Sequence, residues 1–311
     1  MFVLAHCVNP DNVVILSAAK DLSLSQGYAV PSALMCELFC LSARKPTRAS
    51  FSLRRFAGHG GASTGNVDGW GVAFHEGHEV RLYKEPEPAS HSPWLDFIER
   101  HTLPTRQLVS HIRRATQGGN SLANTQPFVR ELGGRTHLFA HNGDLKDVVA
   151  RAADPAHRFH PVGQTDSESA FCLLLERLAP LWHRRVPPLG LRLETIADFA
   201  AAMRPLGTFN FVYSDGDFVF GHGHRRRATD GTMGPGLWFR HRHRAEHGAH
   251  QTVAEHGGRE SDAGVALHST EDAQDLSLLA SVPVTAGHWR PLAEGEIVVL
   301  AAGELATTSS Q

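Results

Sequence analysis

The residue whose chemistry matters most is Cys36, in the run Met35-Cys36-Glu37-Leu38-Phe39. A free thiol has a pKa of about 8.5, so little thiolate exists at neutral pH without help. A cysteine that begins a chain brings its own base. Its α-amine, with a pKa of about 7.7–8.0, can take the thiol proton directly or through a water. An amide nitrogen inside a chain cannot, because its lone pair is delocalised. Taken alone, Cys36 reads as a small buried strand residue, the usual fate of free cysteine. Four more pieces follow it: Asp68-Gly69-Trp70-Gly71, Ser110-His111-Ile112-Arg113-Arg114-Ala115-Thr116, Ala140-His141-Asn142-Gly143-Asp144 and Gln164-Thr165-Asp166-Ser167-Glu168. Arg113 offers a planar fork that grips carboxylates, or is a surface arginine at a strand end. Asn142-Gly143 taken alone is the strongest hairpin-turn signal there is. Asp166 suits a helix start, where the macrodipole favours an acid. Gly69 and Gly71 permit close backbone approach, and Trp70 equally suits a core.

In this order the pieces resemble the class II glutamine amidotransferases, which are N-terminal nucleophile (Ntn) hydrolases. The resemblance spans roughly residues 36–300 and is closest to stand-alone members without a fused synthase domain. It implies that Cys36 attacks the γ-amide of glutamine and forms a γ-glutamyl thioester. Asn142 and Gly143 then supply the oxyanion donors, Arg113 and Thr116 bind the substrate α-carboxylate end, and Asp166 binds its α-ammonium. Several relatives carry His after the threonine, where this chain has Gln117. The implied fold is α+β, a four-layer αββα sandwich of two antiparallel sheets, with no cofactor and no metal. The partner is glutamine or a γ-glutamyl small molecule. The sandwich takes up most of Cys36 to Gln311, leaving no room for a phosphoribosyltransferase or sugar-isomerase domain, so ammonia would pass to a separate acceptor protein. An alternative on the same residues is a γ-glutamyl amide hydrolase of the ergothioneine-pathway type. If residues 1–35 are retained, Cys36 has no α-amine and an inactive binding module is the reading.

The first 35 residues differ from the rest. Residues 1–34 hold Lys20, Asp11 and Asp21 as their charged groups and have no basic start of the kind a secretory signal carries. Val14 to Leu22 looks like the head of an over-extended reading frame, with Met35 as a second start. The expected division is a leader over 1–35, mis-set or removed, a catalytic domain over 36–305 and a tail over 306–311. The chain of 311 residues is 41% hydrophobic and 20% charged, which is globular rather than disordered. A net charge of -2 gives no global case for nucleic acid or an acidic membrane. No apolar run reaches the ~18 residues of a membrane span. Four cysteines, Cys7, Cys36, Cys40 and Cys172, exclude a disulfide scaffold and fit the cytoplasm.

The elements that must position these groups are short strands and helices. Strands are expected at Glu37–Leu41, Gly71–Phe74, Val80–Tyr83, Leu108–Ile112, His137–Ala140, Phe209–Tyr213, Phe218–Phe220, Leu237–His241 and Glu296–Leu300. Ser167–Leu181 has apolar positions Phe171, Leu174, Leu175 and Leu178 at helical spacing, with Thr165 and Glu168 in capping-box register. Leu191–Met203 and Ser92–Arg100 are further helices, Pro93 suiting a first turn. Residues 225–262, rich in His, Arg and Gly, read as a surface excursion. Arg225–Arg227 there reads as a solvated turn. His222, His224, His241, His243, His247 and His250 read as solvated loop rather than metal ligands, since no H-E-x-x-H accompanies them.

Overall fold

Alternate residues along the strands bury toward different layers, and this sets the architecture. The computed structural model describes residues 13–16, 36–51, 68–89, 92–101, 104–115, 117–183, 185–227, 231–242, 265–269, 274–284 and 288–309. Its first strands are β1 (Val13–Leu16), β2 (Glu37–Phe51), β3 (Trp70–Glu76), β4 (Glu79–Glu85), β5 (Thr105–Ile112), β6 (Phe128–Leu132), β7 (Arg135–Leu145), β8 (Gly207–Ser214) and β9 (Val219–His222). They continue with β10 (Arg225–Arg227), β11 (Met233–Pro235), β12 (Trp238–Arg242), β13 (Val265–Ser269), β14 (Leu276–Ala280), β15 (Arg290–Pro291), β16 (Ile297–Ala301) and β17 (Glu304–Ser309). The helices are α1 (Pro93–Arg100), α2 (Val148–Ala152), α3 (Asp166–Trp182) and α4 (Leu189–Met203).

Two large antiparallel sheets result, beside the small two-stranded β10–β11 sheet. The nine-stranded one runs β15-β12-β14-β2-β5-β3-β4, with β13 pairing the distal part of β2 and β1 pairing β13. The six-stranded one runs β17-β16-β9-β8-β7-β6. Leu38 and Cys40 of β2, Val109 of β5 and Leu279 of β14 meet Leu138 and Ala140 of β7, Val212 of β8 and Val298 of β16 in the layer between the sheets. The intervening residues face outward. Phe39, Leu41 and Leu278 pack with Leu95 and Ile98 of α1. Phe139, Phe209, Phe211 and Val299 pack with Phe171, Leu175 and Leu178 of α3 and Phe199 of α4. The order is helix, sheet, sheet, helix, the expected four-layer sandwich.

The helix ends follow from their caps. Ser92 caps α1 by accepting the Leu95 N–H at 3.0 Å, with Pro93 in the first turn. Thr165 caps α3 by accepting the Glu168 N–H at 3.2 Å. The other half of the expected capping box does not form. Glu168 instead accepts the Gly163 N–H at 2.6 Å and pairs with Arg130 at 2.5 Å.

Three expectations are corrected. Residues 306–309, read as a tail, lie in β17 and pair with β16. Their side chains, mostly polar and alternating exposed and half-buried, are those of an edge strand, which resembles a tail in one dimension. The excursion from 225 begins with the paired strands β10 and β11 and continues with β12, an integral strand of the nine-stranded sheet. Its remainder, 243–264, including His243, His247 and His250, lies outside the described residues. His222 and His224 are buried rather than solvated. Strand β14 was not foreseen, because Leu-Ser-Leu-Leu-Ala buried on both faces lacks the alternation that signals a strand.

Candidate active site

Cys36 immediately precedes β2, on the face that Leu38 and Cys40 turn toward the second sheet. The register of β2 against β5 pairs Glu37 with Ile112, so the chain leaving β5 runs alongside Cys36. Cys36 Sγ accepts the Arg114 N–H at 3.1 Å and faces the Arg114 carbonyl at 3.2 Å. Burial pushes the thiol pKa up. The Arg114 backbone, then the charges of Arg226 and Arg113, pull it back, while Glu37 adds to the rise.

Arg113 is buried, so it is not the surface arginine its position could suggest. Its guanidinium donates to Asn120 Oδ1 at 3.0 Å and to the Gln117 and Gly118 carbonyls at 3.0 and 3.1 Å. The fork thus organises the loop that follows it. Burial lowers its pKa, opposed by Asp68 and Cys36. Asp68 ties the same loop down by accepting the Ala115 N–H at 2.7 Å and the Asn120 amide at 3.2 Å. Gln117 reaches across to Asp144 Oδ1 at 2.5 Å. Thr116 lies outside the described residues. In β3, a Cβ on Gly71 would lie 2.2 Å from the Gln126 carbonyl oxygen, so only glycine fits. Trp70 is core, with its indole N–H on Glu85 at 3.1 Å.

Asn142 and Gly143 sit inside β7, opposite Asn210 and Phe209 of β8, and not in a hairpin turn. The turn expected from the dipeptide alone is overruled by the strand that continues to Leu145. Glycine is needed for another reason. A Cβ at 143 would lie 2.0 Å from the Thr208 carbonyl oxygen and 2.6 Å from His141 Nε2. Asn142 shares the inter-sheet face with Leu138 and Ala140. Its amide donates to the Cys36 carbonyl at 2.6 Å and to Ser281 Oγ at 3.0 Å. Asn210 in turn donates to the Asn142 carbonyl at 3.0 Å.

Asp166 opens α3, and its carboxylate accepts the Leu145 N–H and the Ser167 N–H, each at 2.8 Å. It therefore links the helix start to the end of β7, two residues beyond Gly143. His141 lies beneath, with Nδ1 2.9 Å from Ser167 Oγ; burial lowers its pKa and Asp166 opposes this. The structure thus brings Asn142 into direct contact with Cys36, places Arg113 one residue from the Arg114 backbone that holds the thiol, and sets Asp166 at the end of the same strand.

Two participants escaped the sequence reading. Ser281, just after β14, accepts the Leu38 N–H at 3.0 Å as well as the Asn142 amide. Arg226, read as part of a solvated turn, donates to the Ser281 carbonyl at 3.0 Å, the Cys36 carbonyl at 3.3 Å and Glu37 at 3.1 Å. Glu37 lay in the quoted motif, and a glutamate beside an apolar run was the signal that could have called for a cation. Among the described residues no cluster of His, Cys, Asp and Glu is arranged to hold a metal, and no helix is long and apolar enough to cross a membrane.

A sequence model of the class-II glutamine amidotransferases matches residues 35–311. The chain is 38% identical over 188 residues to YafJ of Escherichia coli strain K12, provisionally named a glutamine amidotransferase; the match covers 60% of this chain and 72% of that protein. A protein of Haemophilus influenzae with the same provisional description is 35% identical over 61% of this chain, which spans 63% of that protein's length. Among solved structures, a predicted glutamine amidotransferase from Pseudomonas aeruginosa superposes with a TM-score of 0.61 at 29% identity, over 88% of this chain and 100% of that one.

Proposed function

The chain belongs to the class II glutamine amidotransferases, proteins of Ntn-hydrolase fold, and from that premise we propose that it hydrolyses the γ-amide of glutamine through a thioester on Cys36. The observation that carries this reading is the placement of Cys36 at the head of β2, its Sγ on the Arg114 backbone next to Arg113, its carbonyl held by Asn142, and Asp166 at the end of β7. The reading requires Cys36 to become the first residue. Its freed α-amine then takes the thiol proton as sulfur attacks the amide carbon. The tetrahedral oxyanion needs preorganised donors, and Asn142 and the Gly143 N–H are the candidates. For this, Asn142 gives up the Cys36 carbonyl or the Ser281 hydroxyl. The ammonium of Cys36 returns its proton to the departing nitrogen, and ammonia leaves. Water then attacks the thioester, with the amine as base, releasing glutamate and restoring the thiol. Arg113 would exchange loop carbonyls for the α-carboxylate, and Asp166 would face the α-ammonium.

The test combines mass and activity. Protein from its native host should have the intact mass of a chain starting at Cys36 and should release glutamate from glutamine. Cys36→Ala should abolish release, and Cys172→Ala, in the α3 core, should not. A mass retaining residues 1–35, or glutamate release that survives Cys36→Ala, sinks the reading; equal loss in both variants marks misfolding instead.

A further inference from the structure

We propose that Arg226, seated by Glu37, is a positioning residue for Cys36, fixing its main-chain carbonyl and supplying positive charge beside its thiol. The inference rests on the proposed role of Cys36 as nucleophile and deepens it.

Arg226 reaches the site from β10, the first strand of the β10–β11 hairpin, whose Arg225 carbonyl is held by the Asn210 amide at 2.8 Å. That amide also holds the Asn142 carbonyl, so hairpin and strand β7 are tied to one side chain. From this seat one guanidinium nitrogen donates to the Ser281 carbonyl. The other donates to the Cys36 carbonyl and the Glu37 carboxylate. The Cys36 carbonyl thus has two donors, Arg226 from β10 and Asn142 from β7. A residue that must carry the nucleophile as a free chain end loses the anchoring of a preceding peptide. Two donors on its carbonyl replace that anchoring.

The ion pair is nearly buried, with side-chain exposures of 13% for Arg226 and 3% for Glu37. Such pairs contribute little net stability, because desolvation offsets their attraction. The second Glu37 oxygen has no hydrogen-bond partner among the described residues, so the pair is not built for maximal bonding. What it does achieve is a fixed cation against Cys36. The charged groups that act on the thiol are Arg226 from β10, Arg113 after β5, and Glu37 at the start of β2, and Arg226 is the stronger of the two cations in lowering its pKa.

The experiment measures the pH dependence of Cys36 alkylation by iodoacetamide in the full chain, read on the Cys36 peptide by mass spectrometry. R226Q should raise the midpoint by about one pH unit, which is about tenfold slower alkylation at pH 7. R226K should recover to within about threefold, since a charge remains. E37Q, which keeps the cation and removes the nearby anion, should leave the midpoint at or below the wild-type value. The E37Q/R226Q double variant leaves no lone buried charge; it should melt near wild type and still alkylate slowly. With glutamine, R226Q should lower kcat with KM within about twofold. An unmoved midpoint in R226Q, or E37Q and R226Q shifting it alike, overturns the proposal. If the wild type releases no glutamate, the glutaminase reading fails while alkylation still decides the role of Arg226.

Discussion

Acid should unfold this protein well above the pH at which its carboxylates titrate, because histidines are sealed inside it. His75 is pushed down to about 4, and His111, His137 and His222 each to about 3, in every case chiefly by burial. In the unfolded chain each takes up a proton near about 6.5. The folded values lie below the unfolded one. Their contribution to stability is therefore complete above about pH 6.5 and is lost as pH falls toward about 3 to 4. At pH 5 each imidazole has forfeited about 2 kcal/mol, about 8 kcal/mol together, against a total stability of about 5–15 kcal/mol. This is an upper bound, since local opening lets a ring protonate before the whole fold is lost. Urea unfolding followed by tryptophan fluorescence, repeated from pH 7.5 down to 5, measures it. Stability should fall by about 5 kcal/mol per pH unit below pH 6, an uptake of about four protons on unfolding. His75→Leu is the sharpest single check, because neither His75 ring nitrogen has a hydrogen-bond partner among the described residues. It should flatten the slope by about 1.4 kcal/mol per pH unit. A total slope at or below one proton's worth between pH 6 and 5 refutes the reasoning.

Gly143→Ala should cost several kcal/mol and nearly all activity, since its Cβ would meet the Thr208 carbonyl oxygen at 2.0 Å and force β7 from β8; wild-type melting would show that the strands yield more easily than their pairing suggests. Arg113→Lys should raise the KM for glutamine by about tenfold with kcat within a few fold, because an ammonium cannot reproduce the fork. An unchanged KM removes Arg113 from substrate binding. Arg192→Met should destabilise by about 3–5 kcal/mol, because it strands the buried Asp215 that Arg192 pairs at 2.8 Å. Adding Asp215→Asn should recover most of the loss in a thermal melt.

What the sequence made legible follows the range of the interactions involved. The cap of α3 at Thr165 and the apolar stripe of Phe171, Leu174, Leu175 and Leu178 depend on residues within a few positions, and the helix lies where they put it. The facing of Asn142 was legible too, since period two carries Leu138 and Ala140 onto the same side as Asn142. The Asn-Gly turn signal masked it. That signal describes what two residues do when nothing beyond them pairs, and here β8 pairs both.

The unforeseen parts of the site arrive through pairings between segments far apart in the chain. Ser281 reaches Cys36's strand because β14 pairs with β2, matching Ala280 to Phe39 across 241 positions of chain that no local pattern spans. Arg226 reaches it because Asn210 holds the backbone of the hairpin that carries it. Its sequence setting, Arg225-Arg226-Arg227, is that of a solvated face, and two of the three are in fact exposed. Only the middle residue turns in, and the reason lies in Glu37, a buried acid that cannot sit beside Cys36 uncompensated. An acid in an apolar strand and a cation without an obvious role are each ambiguous alone. Each supplies the charge the other's burial demands, and that demand is what joins a distant hairpin to the residue that opens β2.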